Sequence, residues 1–227
     1  FDDIDLDLID LELGPCVRGA PGDYLGRDKV LPLLREKARW IPAILFTRYA
    51  LTRLLKDVSP HGFDAILQKS SFEADSFYRR EWSALKRSVR LNRIAALTGR
   101  SVHHVDDLLN KPPTVESGVE VSAEIDEYGK TEFNECLALL ELRSDKIFLD
   151  PLVPGFSGSS VFKMRCHADG RDATWLLKVS RNPRKLCTEL DAHRRMFVDG
   201  FTRRLSVPPL WWSPIFWRNL GMMVYEF

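Results

Sequence analysis

Apolar and polar positions follow two successive regimes along the chain. Asp5 to Leu13 (Asp-Leu-Asp-Leu-Ile-Asp-Leu-Glu-Leu) alternates and then runs apolar, the pattern of a buried strand that carries carboxylates to its C-terminal end. Ile41 to Thr47 predicts a second strand ending in a hydroxyl, and Gly62 to Lys69 a third ending in an ammonium. Helical spacing fills the intervals, with helices predicted over Val30 to Trp40, Leu51 to Val58 and Phe72 to Leu97; the last carries Tyr78, Trp82, Leu85 and Val89 on one stripe. Strand and helix in alternation imply a parallel sheet whose functional groups gather at the strands' C-terminal ends.

The pattern then weakens. Over 98–145, Lys111-Pro112-Pro113 and Ser117-Gly118 are breakers and Val119 to Lys130 mixes charge with small residues, so a linker is expected, with one short helix over Thr131 to Arg143. Beyond it, Leu152 to Cys166 predicts strand, Gly/Ser turn and strand, and His167 to Asp172 a hairpin. Thr174 to Ser180 reads as a strand and Lys185 to Phe197 as a helix. Val207 to Trp217 and Gly221 to Tyr225 supply two last strands.

Composition narrows the classes. The 227 residues are 44% hydrophobic and 29% charged, an ordinary globular balance. Lys and Arg number 33 against 32 Asp and Glu, so no net field calls for nucleic acid or an anionic membrane. No apolar run approaches a membrane span, and the acidic first residues lack the basic-then-apolar order of a secretory signal. Cys16, Cys136, Cys166 and Cys187 show no metal-ligand spacing and suit reduced thiols in a cytoplasm. The sequence opens on Phe1 rather than Met and stops just after a strand-like run, which predicts a piece of a longer protein.

Two groups of residues carry candidate chemistry. Asp10, Thr47 and Lys69 close the first three predicted strands. A carboxylate, a hydroxyl and an ammonium at one sheet edge suit a phosphoryl group, which the first accepts, the second hydrogen-bonds and the third neutralises. Asp-Leu-x-Leu-x-Asp, Ile-Pro-x-Ile-x-x-Thr and Gly-Phe-Asp-Ala-Ile-Leu-x-Lys make residues 1–97 resemble the later part of a response-regulator receiver domain, a flavodoxin-like fold. The resemblance implies that Asp10 is the phosphoacceptor and a Mg²⁺ ligand, Thr47 the switch hydroxyl and Lys69 the contact to the acyl phosphate. The interval from Asp10 to Thr47 is longer than the family's usual, so an enlarged loop is expected after Asp10.

In the second group, Gly155, Ser157, Gly158, Ser159, Ser160 and Val161 form a Gly/Ser hairpin, where a backbone without Cβ atoms bends close to a ligand and exposes N–H groups to phosphate oxygens. Lys178 follows in a strand and Glu189 in a helix. The order resembles the N-terminal lobe of protein-kinase-like enzymes, above all the aminoglycoside-phosphotransferase-like branch. By that resemblance the hairpin covers the nucleotide, Lys178 contacts its phosphates, Glu189 pairs with Lys178, and Glu226-Phe227 begin the hinge that receives adenine. The loop departs from the three-glycine protein-kinase form, and the Lys-to-Glu interval of 11 positions is short. The family's catalytic Asp and metal ligands belong to a C-terminal lobe that would follow Phe227.

Together the resemblances imply an α/β receiver-like part over 1–97, a helical linker over 98–145, and an α+β kinase-like lobe over 146–227 with an antiparallel sheet and one main helix. They imply a bacterial cytoplasmic signal-transduction protein that couples a phosphoacceptor to an ATP-binding phosphotransferase, using ATP and Mg²⁺ and meeting protein partners such as a histidine kinase. An inert pseudoreceiver and pseudokinase scaffold remains open. So does a DNA-binding response regulator, since Ile94-Ala95, Gly99 and Val105 have helix-turn-helix spacing. Asp106 and Asp107 would repel phosphates there, and the basic face Arg79, Arg80, Lys86, Arg87, Arg90 and Arg93 is expected to be solvated; nucleic acid is not the expected partner.

Overall fold

Parallel strands need connections long enough to cross back over the sheet, and helices supply them. The computed structural model describes residues 7–10, 26–47, 62–68, 78–142, 144–152, 158–168, 171–198 and 214–226. The chain is mixed α/β and divides into two units between Arg100 and Ser101.

In the first unit, β1 (Asp7–Asp10), β2 (Ala43–Thr47) and β3 (Ala65–Gln68) form a parallel sheet in the order β1-β2-β3. Asp7 lies level with Ala43, and Ile44 with Ala65. The middle strand is buried at Ala43, Ile44, Leu45 and Thr47, as a strand covered on both faces requires. A π turn over Gly26–Val30 runs into α1 (Leu31–Lys37), which buries Leu31 and Leu34. Pro32 sits in the first turn of α1, where its missing N–H costs no helical hydrogen bond. α2 (Tyr78–Thr98) buries Val89, Leu91, Ile94 and Ala95; of its expected stripe, Trp82 and Leu85 are half-buried. The helix expected over Leu51 to Val58 lies outside the described residues.

An ionic cluster ties the N-terminal edge of this sheet. Asp64, just before β3, is 4% exposed; its carboxylate accepts from the Ala43 N–H at 2.8 Å and from Arg35 Nη2 at 2.9 Å, with Arg93 Nη1 at 3.7 Å. Arg35 also donates to the carbonyls of Ile41 and Gly62, and Arg93 to that of Arg39. Burial pushes the Asp64 carboxyl above its ordinary range, opposed by the Ala43 N–H and the two guanidiniums. Burial, and then Arg35, push Arg93 down to about 10. Arg93 therefore does not belong to a solvated basic face: it crosses from α2 to the sheet edge as a buried partner. Removing one member of such a cluster strands the others in a site without water. Asp64→Ala is expected to lower unfolding free energy by about 3–5 kcal/mol in urea denaturation. A loss below about 1 kcal/mol would rank the cluster with exposed ion pairs.

The second unit is built on a six-stranded mixed sheet. Ser101 caps α3 (Val102–Asn110) by accepting from the His104 N–H at 3.1 Å, following Gly99 at φ +68°. Then come β4 (Thr114–Ser117), α4 (Val119–Tyr128), α5 (Lys130–Ala138), β5 (Lys146–Pro151), β6 (Ser160–Ala168), β7 (Arg171–Ser180), α6 (Pro183–Val198), β8 (Ile215–Trp217) and β9 (Leu220–Glu226), in the sheet order β4-β5-β6-β7-β9-β8.

Three departures from the sequence expectation have physical causes. The stretch over 98–145 holds three helices and a strand rather than only one short helix; Val105, Leu109, Val121, Ile125, Phe133 and Leu137 give it a buried side. β4 pairs parallel to β5 through the α4–α5 crossover, so the sheet is mixed rather than antiparallel. The strand before the Gly/Ser turn is Lys146–Pro151 rather than one starting at Leu152; its alternation of Ile147 and Leu149 with exposed neighbours is short and bounded by Asp145 and Pro151.

The two sheet faces have different cover. Ile147, Leu149, Phe162, Met164, Leu177, Val179, Met222 and Val224 share the face packed by α4 and α5, where Phe133 meets Phe162 edge-on at 6.3 Å. Leu176, Lys178, Met223 and Tyr225 share the other, on which α6 packs against β7 and β9. A Cβ on Gly221 would come within 2.8 Å of Leu186 Cδ1, so the missing side chain lets α6 approach.

Candidate functional site

On the α6 face, strand alternation puts Lys178 between the buried Leu177 and Val179, which point to the opposite side. Its side chain is 13% exposed, too little for water to solvate an ammonium freely. Glu189, two turns into α6, supplies the counter-charge: Lys178 Nζ donates to Glu189 Oε2. The second carboxylate oxygen is also engaged, because the Tyr225 hydroxyl donates to Glu189 Oε1 at 2.5 Å. Burial and the adjacent carboxylate push the Tyr225 phenol well above its usual value, keeping it a protonated donor. The His193 ring, one turn beyond Glu189, lies 5.7 Å from the Tyr225 ring, and Leu190, Met223 and Leu176 close the apolar surround. Glu189 on α6 thus holds the ammonium, and Tyr225 on β9 holds Glu189.

The Gly/Ser turn divides between the two faces. Gly158 adopts φ +63°, which an L side chain resists. Ser159 is 1% exposed and its Oγ has no hydrogen-bond partner among the described residues. Ser160 is committed elsewhere: its hydroxyl donates to Glu124 on α4 and lies 2.6 Å from the Tyr128 hydroxyl. Arg181, just past β7, stacks on Tyr128 at 5.8 Å and donates to the Glu127 carbonyl. Val161 is level with Lys178 on β6, and Glu226 ends β9 exposed, level with Trp175. Gly155 and Ser157 lie outside the described residues. A left-handed glycine, a buried hydroxyl with no partner among the described residues and a fixed ammonium are groups that can bind phosphate oxygens.

In the first unit, the backbone of Asp10 is level with Phe46, and Thr47 with Gln68. Asp10 and Thr47 therefore share the C-terminal edge, opposite the Asp64 cluster, and Thr47 is 1% exposed. Lys69, the next residue after Gln68, lies outside the described residues.

Sequence patterning missed Tyr225, although β9's alternation with Met223 puts it on the face of Lys178. It also missed Glu124 and Tyr128, whose i, i+4 spacing on α4 was the available signal. Among the described residues Cys136, Cys166 and Cys187 are in no disulfide, and burial pushes the Cys136 thiol up beyond ready ionisation. No group of three or more His, Cys, Asp or Glu among the described residues is arranged to hold a metal ion, and none of their helices is long and apolar enough to cross a membrane. Compared with family models, curated proteins and solved structures, the chain matches none.

Tyr225→Phe removes one donor to a carboxylate and is expected to cost about 1.5–3 kcal/mol in thermal or urea unfolding. The same phenol gives a pH signature. Its folded pKa is raised, so its contribution is complete below about pH 10 and is lost as pH rises beyond, where the unfolded chain releases the proton and the folded chain does not. The variant should therefore show a shallower alkaline loss of stability than wild type; identical slopes would mean that the phenol is not held by Glu189.

Proposed function

We propose that the protein is a phosphotransfer signalling protein in which the second unit binds ATP on the Lys178 face and the first unit carries a phosphoaccepting Asp10. The observation that carries this reading is the Lys178–Glu189 ion pair on the face beside the Gly158 turn. The strand order β5-β6-β7-β9-β8, with α6 inserted between β7 and β8, supports a kinase-like lobe, since it sets an antiparallel hairpin, the Lys strand, the Glu helix and two closing strands in that sequence. In such a site ATP supplies the transferable terminal phosphoryl group. Lys178 neutralises a phosphate, Glu189 and Tyr225 keep the ammonium from folding away, and the backbone at Gly158 and the Ser159 hydroxyl are available to phosphate oxygens.

For the first unit, support comes from the shared C-terminal edge of Asp10 and Thr47, where open parallel sheets collect ligands. Attack of an Asp10 carboxylate oxygen on a donor's phosphorus would break the donor's P–O bond, release the dephosphorylated donor (acetate from acetyl phosphate) and form an acyl phosphate that Thr47 could hydrogen-bond. Asp10 would also help hold Mg²⁺, which would offset the charge.

Lys178→Met keeps most of the buried carbon while deleting the charge. It is expected to weaken ATP binding, measured by calorimetric titration, by at least about tenfold, some 1.4 kcal/mol, while the fold persists. Unchanged affinity with a collapsed melting temperature would make the pair structural instead. Separately, acetyl phosphate with Mg²⁺ should add a single acid-labile phosphoryl group, detected by intact-mass spectrometry and abolished by Asp10→Asn. An absent adduct on wild type would remove the phosphoacceptor role.

A further inference from the structure

We infer that Lys185 is a second phosphate-binding cation of the Lys178 site, so that the site takes a polyphosphate chain rather than a single phosphate. The inference rests on the Lys178 face being the nucleotide site. Lys185 stands in the first turn of α6, and a Cβ on Gly158 would lie 3.8 Å from its Nζ, so the ammonium sits against the backbone of the Gly/Ser turn. Beside that contact lies the Ser159 hydroxyl, 1% exposed and without a partner among the described residues. Ser160, the first residue of β6, bonds Glu124 on the α4 side, while Ser159 directly follows Gly158, the residue the Lys185 ammonium approaches, and has no such partner among the described residues.

The helix start is itself ordered for this. Asn182 accepts from the Lys185 N–H at 3.1 Å, and its own N–H donates to Ser180 Oγ at 3.1 Å, which pins the first turn of α6 to the end of β7. Lys185 and Glu189 are four residues apart and share one face of α6, with Cβ atoms about 5–6 Å apart. Glu189 holds the Lys178 ammonium. One cation clamped by a carboxylate at the end of that helical face and one resting on the turn suit different phosphates of one chain. Lys178 takes the inner phosphate and Lys185 the terminal one, with Ser159 Oγ the hydroxyl donor between them.

The test titrates ATP, ADP and inorganic tripolyphosphate by calorimetry into wild type, Lys185→Ala and Lys185→Arg. Lys185 is exposed, so the unfolding midpoint should be unchanged in both variants. Lys185→Ala should weaken ATP and tripolyphosphate by about fivefold or more, the loss of one charge-assisted hydrogen bond, with ADP affected by less than about twofold; Lys185→Arg should restore most of the loss. Equal weakening of ATP and ADP, or no weakening, overturns the assignment. If tripolyphosphate binds through Lys185 and ATP does not bind, the nucleotide reading fails while the Lys185 site stands. If wild type binds neither, both fail.

Discussion

The second unit is organised around the need to partner one ammonium. A lysine whose strand neighbours are buried has its stem in a dry environment, and its charge must be answered from the only side left open. Glu189 answers it from α6, and this fixes more than the pair. The helix must approach β7 and β9 closely enough for the contact, which Gly221 permits by having no side chain opposite Leu186. The carboxylate must keep its rotamer, which the Tyr225 hydroxyl secures from β9. Helix position, strand spacing and side-chain conformation are thus constrained by a single charge, a condition that favours one arrangement over many without making the pair a large net source of stability.

The first unit places its charges in the complementary way. Its buried carboxylate and guanidiniums lie at the N-terminal edge of a parallel sheet, where Asp64 bonds the start of β2 and Arg93 reaches across from α2. Having the structural ions at that end leaves the C-terminal edge, with Asp10 and Thr47, free of them among the described residues. The buried ion cluster and the Asp10–Thr47 edge thus lie at opposite ends of the same strands, so a change of charge at one need not unbalance the other.

Much of this was legible in sequence because it depended on period and order. The runs Asp5 to Leu13, Ile41 to Thr47 and Gly62 to Lys69 have the apolar density of buried parallel strands and contain β1, β2 and β3, and Lys178 and Glu189 stand in a strand and a helix whose faces can be counted. What escaped depended on long-range pairing. Thr114–Ser117 is four residues between breakers, too short for alternation to register, and it becomes a strand only because the α4–α5 crossover delivers it to β5. Val119–Tyr128 looked like a linker because only Val121 and Ile125 of its ten residues are buried. Arg93 looked solvated because nothing in its own helix announces that Asp64 waits at the sheet edge.

Consecutive serines at the start of β6 have different surroundings. Ser160 bonds Glu124 and lies beside Tyr128 on the α4 face, while Ser159, one residue earlier, is buried without a partner among the described residues, next to the Gly158 that Lys185 approaches. A single peptide therefore joins a satisfied structural anchor to a hydroxyl with no partner among the described residues. The anchor fixes where the turn leaves the sheet, and Arg181 on Tyr128 repeats the tie at the end of β7. The second unit thus holds its Gly/Ser turn from the α4 side, through residues that take no part in the Lys178 cluster, and keeps the groups facing α6 available for a ligand. That separation lets α4, a helix that sequence patterning assigned to a linker, hold the start of β6 without contributing a group to the Lys178 cluster.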